Sequence, residues 1–279
     1  MSWLTDPLDY SFFPRALLAA MIVGLTCGAV GTHVALRNMS AIGNGLSQCT
    51  LGGVAVAVVA GFHPLAGAVA GALLASWLVS AISSHRGIQL DAAIGLVSTS
   101  MFALGIAVIS ANRSSAPNLS DLLFGNVLAV TIGDIAIVGI VGTVVVVWVE
   151  LSHKELTVIA FDPEGARTIV RDPRRIELIF QLALAAVVVA AVQVVGVLLI
   201  AATLVLPAAT ARLHVHSTLA MLRLSAAIGA AIAVVGLYTS FHGDVASGPA
   251  IVLAGTAAFA VSWLVARFAR HVTAGSLRF

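Results

Sequence analysis

The chain has 279 residues, of which 60% are hydrophobic and 9% are charged, and its formal net charge at pH 7 is +2. A water-soluble fold of this size could not cover its surface with so few polar side chains, so the composition excludes a soluble protein and indicates a polytopic membrane protein. The small net charge gives no reason to expect a nucleic-acid partner.

Nine apolar segments follow one another along the chain. Most of them are about 17 to 25 residues long, the length that a helix needs to cross a hydrocarbon core about 30 Å thick. Unpaired backbone amides are costly in hydrocarbon, so we predict an all-α fold with about nine transmembrane crossings in a single domain, residues 1–279. The predicted crossings are 14–36, 42–61, 64–82, 90–110, 129–149, 177–193, 196–212, 220–240 and 248–267.

The stretch 178–211 decides the number of crossings. Its 34 residues would form a helix about 50 Å long, too long for one crossing and short for two. We predict two short crossings, with short or broken helices near residues 193–212: a break around 193–196 and a second irregularity at Pro207. Helices of this kind line the substrate cavity in many transporters.

The cationic side chains alternate between the two sides of the predicted membrane. If the amino terminus lies outside, twelve of the 14 lysines and arginines fall on the inner side, and only Arg15 and Arg113 lie outside. This bias predicts an external amino terminus and a cytoplasmic carboxyl terminus.

The segment 153–175 is the longest charged stretch on the predicted inner side. Asp162 is placed to cap a short helix that begins at Pro163, with Glu164 in its first turn and Arg167 further along. One interpretation is an ordinary solvated loop helix. The other is a docking helix for a cytoplasmic partner, which makes this segment a candidate coupling segment.

The chain has no phosphate-binding P-loop. Such a loop needs a lysine directly after a glycine, whereas the single lysine, Lys154, follows His153. If transport is driven by ATP, the motor must therefore be another polypeptide.

Two pairs of polar residues are candidates for a substrate path. Asn44 and Gln48 are four residues apart and share one face of the second predicted helix, where amides either bind a substrate or join helices. His242 and Asp244 lie two residues apart in an outer loop, where they can share a divalent ion or form an ordinary loop pair. Spacing alone leaves these alternatives open.

Small residues and an isolated histidine are expected to support the fold. The pairs Gly24/Gly28 and Gly67/Gly71 have the small-xxx-small spacing of closely packed helices. His33 has no histidine or acidic neighbour in the sequence, and we expect it to pack between helices or at an interface.

Three further residues could be taken for ligands. Asp121 and Asp134 face the predicted outer side, where single carboxylates are typically caps or loop residues. Cys49 follows Gln48 directly, so on a helix it points about 100° away from that amide, and we expect it to pack.

Six segments of the chain occur in the order and spacing of one known family. They are LRNMSAIGNGLSQCTLGG (36–53), DAAIGLVSTSMFALGIAVIS (91–110), DLLFGNVLAV (121–130), FDPEGAR (161–167), VVGVLLIAATLVLPAATARL (194–213) and SGPAIVL (247–253). On these segments the chain resembles, over nearly its whole length, the zinc and manganese permease family of bacterial ABC importers.

The resemblance implies the membrane-spanning permease subunit of an ATP-binding cassette importer for manganese or zinc, in the bacterial cytoplasmic (inner) membrane. Its implied partners are a second permease copy in a homodimer, two cytoplasmic ATPase subunits that bind ATP, an extracytoplasmic solute-binding protein and membrane lipid. The resemblance gives Asp162, Pro163, Glu164 and Arg167 a role in coupling to the ATPase. The chain itself is then not an enzyme, holds no cofactor and provides a gated path for alternating access.

At the substrate path the chain departs from the family pattern. In this family the second helix typically has Asp where this chain has Asn44 and His where it has Gln48. Neutral amides leave the double charge of a metal ion uncompensated. The implied metal ligands Asn44, Gln48 and Asp244, with His242 also on the path, should therefore bind weakly. Three explanations are open: weak transient binding of a bare ion, a different substrate such as a metal chelate, or a second permease that supplies acidic ligands.

The alternative class is a secondary transporter or channel that works without ATP. Deep intramembrane acids usually mark proton or ion relays, whereas Asp91 and Glu150 both lie near the inner ends of predicted helices. This scarcity disfavours proton coupling. A membrane-embedded enzyme is disfavoured because no acid, histidine or serine groups converge at catalytic spacing in the predicted spans.

Overall fold

The computed structural model describes residues 7, 10, 12–37, 40–83, 90–112, 130–197, 199–215 and 217–275. Every secondary-structure element assigned over several residues within these ranges is an α-helix, which confirms the predicted all-α fold. Asp121 and most of the segment 121–130 lie outside the described residues. The helices are α1 Phe13–Leu36, α2 Ser40–Val59, α3 Pro64–Ser83, α4 Leu90–Ala111, α5 Ile132–Leu151, α6 His153–Phe161, α7 Pro163–Ile169, α8 Pro173–Val195, α9 Ile200–Arg212, α10 Thr218–Gly243 and α11 Ser247–Gly275.

Seven helices in the described part of the chain are long and apolar enough to cross a membrane. Two further apolar helices are shorter, Gly43–Val59 within α2 and Ile200–Arg212, which is α9. At about 1.5 Å per residue, α9 extends about 20 Å, less than a hydrocarbon core of about 30 Å. The structure therefore confirms a polytopic helical architecture, whereas the count of nine crossings stays a prediction.

The predicted break around 193–196 is present, but the prediction of two short helices is wrong for the first, because α8 has 23 residues and is long enough to span while α9 has 13. Helix α8 ends at Val195, Gly196 adopts a φ of 86°, and α9 begins at Ile200. Glycine favours a positive φ of this size because it has no Cβ. Pro207 lies inside α9, which continues to Arg212, so the second irregularity predicted there is not a break in the helix.

Helix α1 is the most enclosed of the seven candidate spans, with 72% of its spanning window buried. It runs antiparallel to α10, and Gly24 lies directly against the backbone of Gly229 while Gly28 lies against that of Ser225. A side chain at either α1 glycine would overlap the opposite backbone. The two glycines therefore have the packing role that their spacing predicts.

Helix α2 packs against α3 on one side and α4 on the other. Gly53 contacts Gly67 and Gly71 on α3, and Gly52 lies against the backbone of Met101 on α4. The predicted packing role of the α3 glycines is thus confirmed, and it fixes the backbone of α2, the helix that carries the candidate amide pair.

The two ends of the bundle are distinguished by their charged groups. At one end Arg223, near the start of α10, donates hydrogen bonds of 2.7 and 2.9 Å to Glu150 near the end of α5. Arg37 after α1 and the helices α6 and α7 lie at this end, which we call the basic end. The opposite end, where α10 finishes and α11 begins, is the far end.

Candidate substrate path and coupling segment

The side chains of Asn44 and Gln48 meet on one face of α2, as their spacing predicts. Nε2 of Gln48 donates to Oδ1 of Asn44 over 3.5 Å, near the upper limit for a hydrogen bond. Asn44 is exposed and Gln48 is half-buried. The pair therefore offers amide oxygens to its surroundings but carries no negative charge that could compensate a divalent ion.

The neighbouring polar groups of α2 are used within the helix. The hydroxyl of Ser47 donates to the carbonyl oxygen of Asn44 over 2.8 Å, and the hydroxyl of Thr50 donates to the carbonyl oxygen of Ser47 over 2.6 Å. Cys49 is buried and packs against α3 and α4, as predicted. These bonds leave the two amides as the polar face of this part of α2.

His242 and Asp244 lie at the far end, where α10 finishes. Nδ1 of His242 is 2.9 Å from the carbonyl oxygen of Tyr238, so in the neutral ring this contact assigns the proton to Nδ1 and the lone pair to Nε2. Asp244 follows α10 in the left-handed region at a φ of 53° and is exposed. An imidazole nitrogen and a carboxylate are suitable ligands for a divalent transition metal.

The two candidate pairs lie near opposite ends of the bundle. Asn44 is close to the beginning of α2 at the basic end, whereas Asp244 follows the last residue of α10. The 26 residues of α10 extend about 39 Å at about 1.5 Å each. One chain thus does not bring the pairs together, and within the described residues no three His, Cys, Asp or Glu side chains are grouped to hold a metal ion.

The coupling segment forms the capped helix that the sequence predicts. Oδ1 of Asp162 accepts a 2.9 Å hydrogen bond from the backbone amide of Gly165, and Pro163 begins α7. Glu164 lies in the first turn and Arg167 in the last, so each charge interacts favourably with the helix dipole at its own end of α7. Helix α7 is therefore stabilised by its own sequence.

Apolar contacts anchor the coupling segment to the rest of the protein. Ile159, Ala166 and Val170 form a buried cluster, against which Ile176 of α8 packs. The opposite side of α7 is open, because Glu164 and Arg167 are exposed. The exposed apolar side chains beside it are Phe161 and Ile169.

The side chain of Arg37 at the basic end is buried, although its sequence context indicates only a charge on the inner side. Its side chain is 4% exposed, its guanidinium lies 4.7 Å above the ring of Phe180, and Nη1 is 3.8 Å from Oε1 of Glu177. Nε and Nη2 have no hydrogen-bond partner within the described residues. Because the partners lie on α8, about 140 positions along the chain, no local pattern could have identified this contact.

His33 lies one turn before Arg37 on α1 and is completely buried. Its ring meets the edge of Phe180 at a centroid distance of 6.1 Å. The histidine therefore has the packing role that was predicted for it.

Comparisons with known proteins agree with this architecture. Residues 9–266 match the ABC 3 transport family. The manganese import system permease protein ScaB of Streptococcus gordonii is 38% identical over 264 residues, which cover 95% of each chain. The chelated iron transport system membrane protein YfeC of Yersinia pestis is 34% identical over 256 residues, which cover 92% of this chain and 87% of that protein.

A solved structure extends the comparison to the fold. The structure of PsaBC from Streptococcus pneumoniae in complex with Fab matches with a TM-score of 0.85 and 35% identity, over 94% of both chains. The sequence matches and the structural match thus both cover nearly the whole length of the chain. The chain belongs to the ABC 3 transport family.

Proposed function

We propose that this chain is the membrane-spanning permease subunit of an ATP-binding cassette importer for a divalent transition metal, manganese or zinc. The likeness to a manganese import permease over 95% of the chain is the observation that carries this proposal. The chain supplies a gated path by alternating access and is not an enzyme, since ATP is hydrolysed on a separate subunit.

The coupling segment supports an assembly with two cytoplasmic ATPase subunits. Helix α7 is anchored on one side by apolar contacts, while Glu164 and Arg167 stay exposed between Phe161 and Ile169. A rigid short helix with exposed apolar and charged groups is suited to contact a protein partner. We infer that two permease copies form a homodimer and that a solute-binding protein delivers metal at the far end.

The distribution of positive charge supports the orientation of the chain. The basic end, with the coupling segment, faces the cytoplasm, and the amino terminus lies outside the bacterial cytoplasmic membrane. With α2 and the short α9 counted among the crossings, the chain crosses the membrane nine times. The two short helices can complete a crossing because other helices of the protein, rather than lipid, surround their ends.

The two candidate pairs act as successive positions on the path. His242 and Asp244 receive the ion at the far end, and Asn44 and Gln48 contact it near the basic end. Because the amide pair is uncharged, it holds the ion weakly, which favours release to the cytoplasm.

A metal chelate is the second candidate substrate. The likeness to a chelated iron transport protein favours it. The neutral amide pair favours it as well, because a chelator already compensates the charge of the metal and leaves groups that amides can bind.

Uptake by the reconstituted complex tests the proposal and separates the two substrates. The permease and its ATPase subunits are placed in liposomes with the solute-binding protein outside, and free manganese, zinc and iron are compared with chelated iron. We expect ATP-dependent uptake of manganese or zinc as the free ion. Uptake of the chelate alone would favour the second candidate.

A further inference from the structure

A cavity of about 270 Å³, with a mainly apolar wall that carries a group of polar side chains, opens between α2, α3, α4 and α8 in the half of the bundle nearer the basic end. Ser76, Ser80 and Ser83 line it from one face of α3, since their spacing of four and three residues brings them onto the same side of a helix. Glu177 and Gln181 line it from α8, one helical turn apart. Carboxylate, amide and hydroxyl groups thus converge on one space inside a largely apolar bundle.

This cavity is distinct from the candidate amide pair. Helix α2 contributes Gly45, Leu46 and Cys49 to its lining, whereas Asn44 and Gln48 do not take part. The residues named for the proposed site all belong to one chain.

The donor set suits a hydrated divalent cation. Manganese and magnesium prefer oxygen ligands, namely carboxylates, carbonyls and water, over sulfur ligands. A water molecule occupies about 30 Å³ in the liquid, so the cavity has room for an ion that keeps several waters. The serine hydroxyls and the amide of Gln181 can bind those waters, while the carboxylate of Glu177 supplies negative charge.

Glu177 is placed to exchange one cationic partner for another. Its only ion pair within the described residues is the 3.8 Å contact with Arg37, and its side chain is 41% exposed. Arg37 has a second contact besides this long one, since its guanidinium lies 4.7 Å from the centroid of the Phe180 ring. The carboxylate of Glu177 is therefore able to bind another cation. The positive charge of the nearby guanidinium lowers the affinity of the carboxylate for that cation.

We propose that this cavity is a cation-binding site on the cytoplasmic half of the path, in which Glu177 is the anionic ligand of a hydrated divalent cation and Gln181, Ser76 and Ser80 are neutral oxygen donors. The site supplies the negative charge that the pair Asn44 and Gln48 lacks. The inference rests on the proposed function, since it places the transported ion there.

Manganese binding to the purified complex tests the site directly. The nucleotide-free permease with its ATPase subunits is titrated with Mn²⁺, and the electron paramagnetic resonance signal of the free aqua ion reports how much is bound. We expect Glu177→Gln to remove one bound Mn²⁺ per permease or to weaken it by about tenfold or more. Glu177→Asp should retain the site.

Two further variants separate ligand loss from damage to the fold. Glu150→Gln makes the same charge change at the basic end, in the pair with Arg223, and should bind Mn²⁺ as the wild type does. Gln181→Leu changes the cavity wall without leaving Arg37 unpaired, and should weaken binding. Wild-type stoichiometry and affinity in both Glu177→Gln and Gln181→Leu would overturn the proposal.

Uptake measured on the same preparation distinguishes failure of the cavity site from failure of the proposed import function. Import of manganese with binding that is indifferent to Glu177 overturns the cavity site and leaves the proposed function intact. A complex that imports neither manganese nor zinc contradicts the proposed function itself.

Discussion

The hydroxyl of Ser225 on α10 donates a 2.6 Å hydrogen bond to the carbonyl oxygen of Gly28 on α1. The two residues are 197 positions apart in the chain, and their bond is buried. It lies one turn from the point where Gly24 and Gly229 bring the two backbones into contact. In lipid, close packing of small residues and interhelical hydrogen bonds are the main forces that associate helices, so this crossing fixes α1 against α10.

Gly24→Ala is expected to destabilise the permease by about 1 to 3 kcal/mol, because its Cβ would overlap the backbone of Gly229 and force the helices apart. The measurement is the melting temperature of the detergent-purified protein. Gly95→Ala on α4 is the matched control, since within the described residues a Cβ at this position meets no atom outside its own helix backbone within 4 Å. A Gly24→Ala protein that melts with the control would contradict the close approach of α1 and α10.

Glu164→Lys and Arg167→Glu are expected to uncouple transport from ATP hydrolysis while the membrane fold persists. Each reverses a charge on the exposed side of α7, and like charges placed across an interface oppose docking, which should lower uptake by about tenfold or more. The measurement is the stimulation of ATPase activity by loaded solute-binding protein. Arg212→Glu, an exposed reversal at the end of α9 and outside the coupling segment, should leave this stimulation unchanged. Unchanged stimulation in both α7 variants would refute the coupling role.

Asp162→Ala removes the cap of α7 and should loosen the coupling segment by about 1 kcal/mol. We expect a partial loss of ATP-driven uptake with normal expression and folding. The control is Thr131→Ala, which removes a helix cap at the far end. There the hydroxyl oxygen of Thr131 caps α5 by accepting a 3.3 Å hydrogen bond from the backbone amide of Asp134. Equal uptake by the two variants would show that the rigidity of α7 has no part in coupling.

The double change Asn44→Asp with Gln48→His adds a carboxylate and an imidazole to the exposed face of α2. Both groups bind manganese and zinc better than amides do, so metal should bind more tightly by about tenfold or more, and release should slow. Calorimetry and metal analysis of the purified complex provide the measurement. If affinity does not rise, the amide pair does not lie on the path of the ion.

Features set by local physics could be predicted from the sequence. The cap at Asp162 depends on neighbouring residues, as does the helix break at Gly196, and both are present. Asp134 is a cap residue of α5, because its side chain and that of Thr131 each accept a hydrogen bond from the other's backbone amide. This role was predicted for a single carboxylate near an interface. Glycine spacing identified packing faces on α1 and α3, because helical periodicity relates sequence directly to one side of a helix.

Features that join distant parts of the chain could not be predicted. The contact of Arg37 with Glu177 joins residues that are far apart in the sequence, and so does the cavity between α2, α3, α4 and α8. No local sequence pattern distinguishes these residues from others. Helix limits also differ from the predicted crossings: α8 begins at Pro173 rather than at 177, and α11 continues beyond 267 to Gly275. Hydropathy marks only the apolar portion, whereas backbone hydrogen bonds continue the helix through polar residues.

ATP hydrolysis on a partner subunit drives a divalent metal through this chain in the proposed function. The most direct test of this function is metal accumulation in liposomes that contain the permease with its ATPase subunits, supplied with loaded solute-binding protein. We expect manganese or zinc to accumulate only with ATP, and accumulation to disappear when the ATPase subunits bind ATP but cannot hydrolyse it. Equal accumulation without hydrolysis would contradict this function and favour an ATP-independent transporter.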